Sequence, residues 1–257
     1  MIPTVVRLAP LAALTACGAS ANDAVFTGES WDWQLQGPYD FARTVDVIDL
    51  DPDEVSPAII KSLKDRGITT IAYVSVGTVE NYRDDAGDFP ARVVGKTYDD
   101  WPDEKFLDIR DHDALLPIMR ARFQRAKDMG FDAIEPDNMD VYINDSGFPI
   151  SADATVSYVT ELAGIAHGMD LLIGQKNVPD LAPRLVDIMD FMIAESCFAD
   201  GWCDQTLVYI EHGKPVYDVE YTDTGVDWAD ACRYARRTGI SMILHNRDLA
   251  GPALESC

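Results

Sequence analysis

One junction recurs five times and constrains the fold more than any other feature of this chain. "DRGITTIAYV", "DMGFDAIEPD", "AHGMDLLIGQ", "EHGKPVYDVE" and "RTGISMILHN" each set a glycine between a polar helical end and an apolar run. Glycine closes a helix because it accepts the left-handed conformation. Lys, Arg or His in the turn before it suits the negative end of the helix dipole. A chain punctuated this way alternates helix with strand.

The strand candidates are 31–35, 44–50, 69–77, 131–137, 170–177, 190–196, 214–221 and 241–247. Their centres are near-continuous Val, Ile, Leu, Ala and Phe, as in strands covered on both faces. Helical patterns lie between them. "SPAIIKSLKDRG" offers Ser56 as N-cap and Pro57 in the first turn,. "DHDALLPIMRARFQRAKDMG" places Leu115, Met119, Phe123 and Ala126 on one stripe,. Eight strands alternating with helices predict an α/β fold, a (β/α)8 TIM barrel forming a single domain over residues 28–257. A doubly wound open sheet is the alternative, weakened because no Gly-rich phosphate loop follows the first strand. The stretch 78–110 reads as a long loop over one face.

The N-terminus, "MIPTVVRLAPLAALTACGASANDA", has one basic residue and a short apolar stretch. It reads as an export signal over residues 1–21. "LTAC" is similar to a lipobox, with Cys17 as the lipidated residue; cleavage after "ASA" is the competing reading. Both predict an extracytoplasmic protein, lipid-anchored to the envelope or secreted. Cys17 is the one membrane attachment the sequence offers. Without it four cysteines remain, an even number that suits an oxidising compartment. The short spacing pairs Cys197 with Cys203 and leaves Cys232 for Cys257. No zinc spacing occurs. The formal net charge of −23 argues against nucleic acid as a partner,. It fits a solvated acidic surface or attraction of a cationic substrate.

A barrel carries its function at the C-terminal strand ends, and polar residues gather there. Trp33 and Gln34 end the first strand and Asp49, followed by Asp51, the second. The third leads into Tyr73, Ser75, Glu80 and Arg83. Asp137 and Asn138 end the fourth, Lys176 and Asn177 the fifth, and Glu195 the sixth. Glu220 and Tyr221 end the seventh, and His245 and Arg247 the eighth. Asp137 and Glu195 sit on non-adjacent strands and face each other across a closed mouth. Two such carboxylates suit glycosidic cleavage, one protonating the leaving oxygen while the other attacks carbon or activates water. Glu135 shares the face of Asp137 one step deeper; Asp132 lies at the far end of that strand. Trp33 and Tyr221 are the better candidates for stacking on sugars among Trp31, Tyr73, Trp101, Tyr142 and Trp202.

"WDWQLQG", "DVIDLD", "IAYVSVGTVENYR", "FLDIRD", "GFDAIEPDNMD", "IGQKN", "IAESCF…C", "VYDVEY" and "ILHNRDL", in that order, resemble glycoside hydrolase family 114. The resemblance spans residues 30–250. It implies a (β/α)8 barrel acting on α-1,4-linked galactosamine and N-acetylgalactosamine polymers. It also implies Asp137 as nucleophile, Glu195 as acid/base and no cofactor. The remaining strand-end residues would bind substrate: Trp33, Gln34, Asp49, Tyr73, Ser75, Glu80, Arg83, Glu135, Asn138, Lys176, Asn177, Glu220, Tyr221 and Arg247. A monomer is the expected state. Two rival classes stay open. One is a non-catalytic polysaccharide-binding lipoprotein; the other is a metal-dependent enzyme using Glu135, Asp137 and Asp140.

Overall fold

A computed structural model of the chain describes residues 30–99 and 101–257. The export signal and the lipidation of Cys17 lie outside the described residues. Each predicted strand is present: β1 (Trp31–Gln34), β2 (Val47–Leu50), β3 (Thr69–Ser75), β7 (Ala133–Asp137), β8 (Leu172–Lys176), β9 (Phe191–Glu195), β10 (Val216–Tyr221) and β11 (Ser241–His245). They pair in that order, all parallel.

The stretch read as a loop holds a second, antiparallel sheet of β4 (Thr78–Glu80), β5 (Val94–Tyr98) and β6 (Trp101–Leu107), in the order β4-β6-β5. Gly77 is required where this flap leaves β3. A Cβ there would sit 1.8 Å from the carbonyl oxygen of Asn138.

The helices are α1 (Pro57–Asp65), α2 (His112–Met129), α3 (Ala152–His167), α4 (Ala182–Leu185), α5 (Leu207–Glu211) and α6 (Trp228–Thr238). Ser56 stands at the N-cap of α1 without a side-chain bond, whereas Asp111, Ser151 and Asp227 each accept an amide of the first turn of α2, α3 and α6. The predicted stripe of α2 is buried. Gly67, Gly130, Gly213 and Gly239 take the left-handed conformation expected of them. Gly168 does not; Asp170 makes that turn instead, at φ 53°.

Alternation along the strands separates two cores. Trp31, Val47, Ile71, Phe191, Tyr217 and Ile243 fill the inside of the curl. Ile48, Leu50, Ala72 and Ile134 face outward into the layer shared with the helices.

The expected barrel closure takes a different form. Among the described residues no strand ladder joins β1 to β11. The segment 249–254 lies in the seam: Leu35 N donates to Leu249 O (3.1 Å), Gly251 N to Gln36 O (2.8 Å) and Leu254 N to Leu244 O (2.8 Å). Ala253 N donates to Asp32 Oδ1 at 2.8 Å. Beyond it β12 (Glu255–Ser256) pairs antiparallel with β11. The backbone just after β1 and the Asp32 side chain are therefore bonded to a downstream segment rather than to a neighbouring strand,. Both expected disulfides form, Cys197–Cys203 and Cys232–Cys257; the second ties α6 to this closing segment. No described helix is long and apolar enough to cross a membrane.

Candidate active site

The C-terminal strand ends open into a cleft of about 1090 Å³, large enough for several sugar units by the usual size of ligand sites. Trp33, Tyr73, Glu80, Arg83, Asp137, Asn138, Lys176, Asn177, Glu195, Tyr221 and Arg247 all line it, as expected from their strand-end positions.

Lys176 is the hub. Its side chain is only 2% exposed, and Nζ lies 2.8 Å from Glu135 Oε1, 2.8 Å from Asp137 Oδ1 and 3.2 Å from Glu195 Oε2. It also sits 4.6 Å from the centre of the Trp33 ring, a cation–π contact,. Burial alone would strip the ammonium of its proton. Asp137, Glu135 and Glu195 outweigh that and hold it charged,. Because Asp137 and Glu195 share one Nζ, their facing oxygens are at most about 6 Å apart, a spacing suited to one glycosidic bond.

Each acid has its own donors. Tyr73 OH donates to Asp137 Oδ2 at 3.1 Å. Tyr221 OH donates to Glu195 Oε1 at 2.5 Å, and Asn177 Nδ2 to Glu195 Oε2 at 3.0 Å. Burial pushes the Glu195 carboxyl up, but Lys176, Tyr221 and Asn177 together pull it below its ordinary value,. Arg247 lies over the Tyr221 ring, 4.0 Å from its centre, and pairs with Asp223 at 2.7 Å. On the opposite wall Arg83 binds Glu80 (2.8 Å), Asp51 (2.8 Å) and Asp53 (2.6 Å) beside the rings of Tyr73 and Tyr82.

Asp137, Lys176 and Glu195 share a backbone device. Each is followed by a residue in the left-handed region: Asn138 (φ 62°), Asn177 (φ 50°) and Ser196 (φ 55°). The turn sends the chain outward directly after the inward-pointing group, and such conformations collect at functional sites. The two asparagines also use their amides. Asn138 Nδ2 donates to Ser75 Oγ (3.0 Å) and Thr78 Oγ1 (3.1 Å). Asn177 Oδ1 accepts Glu195 N at 2.9 Å.

Five predicted substrate contacts do not line the cleft; their side chains are fully buried. Gln34 and Glu220 fall on the outward parity of their strands. Gln34 binds Asp32 and Asp40 N. Glu220 accepts the amides of Phe198 (2.8 Å) and Ala199 (3.2 Å), holding the loop after Glu195. Ser75 bonds Thr78 and Asn138 at the root of the flap. Asp49 and Glu135 point inward but lie beneath the cleft floor; burial pushes Asp49 well up and Glu135 up to about 7.

Trp31 and Trp202 belong to the cores, and Tyr142 OH is bonded to Asp180 at 2.5 Å. His245 is buried on the carbonyls of Asn246 and Gly251. Glu135, Asp137 and Asp140 form no metal-ligand cluster among the described residues; the Lys176 ammonium stands between the first two. The cysteines that approach Asp218 are already joined to each other.

Glu104 of β6 escaped the sequence reading. It lines the cleft, accepts Thr78 Oγ1 at 2.6 Å and is pushed up to about 7 by burial, despite the Thr78 bond. Its signal was hidden in the charged run "WPDEKF", which carries no apolar alternation.

Several known proteins share this architecture. A crystal structure of Aspergillus fumigatus Ega3 in complex with galactosamine superposes with a TM-score of 0.82 and 30% identity, covering 90% of this chain and 97% of that one. The glycoside hydrolase domain of PelA from Pseudomonas aeruginosa matches in fold, with a TM-score of 0.67 and 14% identity over 86% of this chain and 96% of that domain. An uncharacterized protein of Thermotoga maritima is 24% identical over 241 residues, 77% of this chain and 72% of that protein. The model of glycoside-hydrolase family GH114 matches residues 12–257. The chain is a glycoside hydrolase and belongs to family GH114.

Proposed function

We propose that this chain is an exported enzyme that cleaves α-1,4-linked galactosamine and N-acetylgalactosamine polymers with Asp137 and Glu195 as its carboxylate pair. One observation carries the reading: the two acids end non-adjacent parallel strands, face one cleft and are joined through Lys176. Ega3, with which the chain shares 30% identity, is seen with galactosamine bound. The fold is read as a (β/α)8 barrel whose seam is filled by residues 249–254.

In the mechanism, Asp137 attacks the anomeric carbon as the bond to the leaving oxygen breaks. Glu195 gives that oxygen its proton. A covalent glycosyl-enzyme results. Glu195, now a carboxylate, takes a proton from water, whose oxygen displaces Asp137 with net retention. The close approach of the two acids favours this route over inversion. Tyr73 orients the nucleophile, and Tyr221 with Asn177 orients the acid/base. Export rests on the N-terminal sequence and two disulfides,; anchoring rests on Cys17 alone, and the chain acts as a monomer.

The test is product analysis on α-1,4-galactosamine polymers of graded acetylation, with Asp137→Asn and Glu195→Gln as controls. Oligosaccharide release that survives both substitutions rejects the assignment. Binding without release by the wild type favours the polysaccharide-binding alternative.

A further inference from the structure

The interior side chains stack in tiers contributed by alternate strands, as in closed parallel barrels. Counting only the eight parallel strands, the fourth and sixth bring Asp137 and Glu195 to the top tier. The first, third and fifth bring Trp33, Tyr73 and Lys176 to the tier below. The second and fourth bring Asp49 and Glu135 to the tier beneath that. Lys176 reaches upward to two carboxylates and downward to one, Glu135 Oε1. The remaining oxygens of the bottom tier, Glu135 Oε2 and both of Asp49, are shut away from water with no well-formed hydrogen bond.

Two ionised carboxylates cannot occupy such a place together. An unpaired buried charge is expensive, and like charges at contact make it worse. One proton between them removes both costs, turning a repulsion into an O–H···O⁻ bond. We infer that Asp49 and Glu135 share one proton beneath the cleft, and that this carboxyl–carboxylate pair sets the position of the Lys176 ammonium between Asp137 and Glu195.

With Asp49 as the donor, Glu135 keeps one negative charge directed at Lys176. The bridge then has a fixed lower anchor and cannot rise into the space of the substrate. The other groups facing the pair are Asp137 above it and Tyr73 of β3, whose phenol burial keeps neutral. The direction of titration agrees: burial, and the charge of Glu135, push the Asp49 carboxyl well up. Asp49 and Glu135 are positioning residues, since neither reaches the cleft. The role of the bridge in catalysis rests on the proposed function; the shared proton does not.

Three readouts test this. Infrared spectra of the wild type at about pH 7 should show the carbonyl stretch of a buried protonated carboxyl, sensitive to deuterium exchange and lost in Asp49→Asn. In thermal melts the sign follows from linkage. The folded wild type keeps a proton that the unfolded chain releases from about pH 4 upward, so its stability falls as pH rises through that window. Asp49→Asn carries no such proton, so its Tm should gain on the wild type between about pH 4 and about pH 8.

On the polymer, Asp49→Ala should lose kcat by about tenfold or more, and Asp49→Asn, which still donates to Glu135, should recover most of that loss. No infrared band, a Tm margin that does not change with pH, or equal kcat for the Ala and Asn variants would overturn the inference. A wild type that shows the band and the margin but cleaves no amino-sugar polymer overturns the proposed function and leaves the shared proton standing.

Discussion

Replacing Lys176 with Met removes one charge from among three carboxylates and keeps most of the side chain's volume. Deleting one partner of a buried ion pair costs about 3–5 kcal/mol, because the survivor is left uncompensated. Here the lower end applies. Asp137 and Glu195 keep 19% and 30% side-chain exposure, so water returns part of the loss. Glu135, fully buried, already sits at about 7 and takes up a proton at small cost. A loss of about 3 kcal/mol corresponds to a fall in Tm of about 6–12 °C for a domain of this size.

The pH dependence gives the sharper check. Lys176 helps to hold the Glu195 carboxyl below its ordinary value. Stability from such a group is present above the unfolded value and is lost as pH falls through the folded one. The Tm gap between wild type and Lys176→Met should therefore be widest near neutrality and narrow below about pH 4. Scanning calorimetry across that range measures it, with Lys176→Arg as the charge-keeping control. A gap that stays constant, or widens in acid, would refute the claim that charge rather than packing makes Lys176 matter.

Other outcomes follow from the same geometry. With Glu195 as the proposed acid, which must be protonated to act, and its carboxyl pulled down, kcat/KM should fall about tenfold per pH unit on the alkaline side of an acidic optimum, read from initial rates,. Glu220→Ala should cost about 2–4 kcal/mol by stranding the amides of Phe198 and Ala199,; chemical denaturation should show a smaller loss for Glu220→Gln. Removing Cys232–Cys257, which closes a separation of 25 residues, should cost about 3 kcal/mol in melts of the double serine variant. With 44 acidic against 21 basic residues, cleavage of a deacetylated, cationic polymer should weaken as salt rises, while a fully acetylated one should respond little.

The strands were legible because buried parallel strands are written as unbroken apolar runs with polar terminal residues. That same signature hides parity. Where both faces are covered, the sequence does not say which neighbour points inward, so Gln34 and Glu220 read like Lys176 and Asp137. Only register in the sheet separates them. That strands four and six bring Asp137 and Glu195 to one cleft was readable from strand order alone. The bridge was not: Lys176 looked like a group waiting for substrate, and its three partners come from two other strands. The flap over 78–107 was lost because its strands are rich in charged and polar residues and carry no long apolar run, and Glu104 was lost with it.

The seam of the curl also fixes an order of assembly. Residues 249–254 lie downstream of all eight parallel strands, yet they bond Leu35 and Gln36, just after the first, and its Asp32 side chain. In a chain emerging N-terminus first, β1 therefore stays at the edge of the sheet, and the residues after it lack these partners, until every other strand has been delivered. Such an edge is a template for pairing with the wrong chain. The seam protects the chain from that pairing only once its last segment has been made.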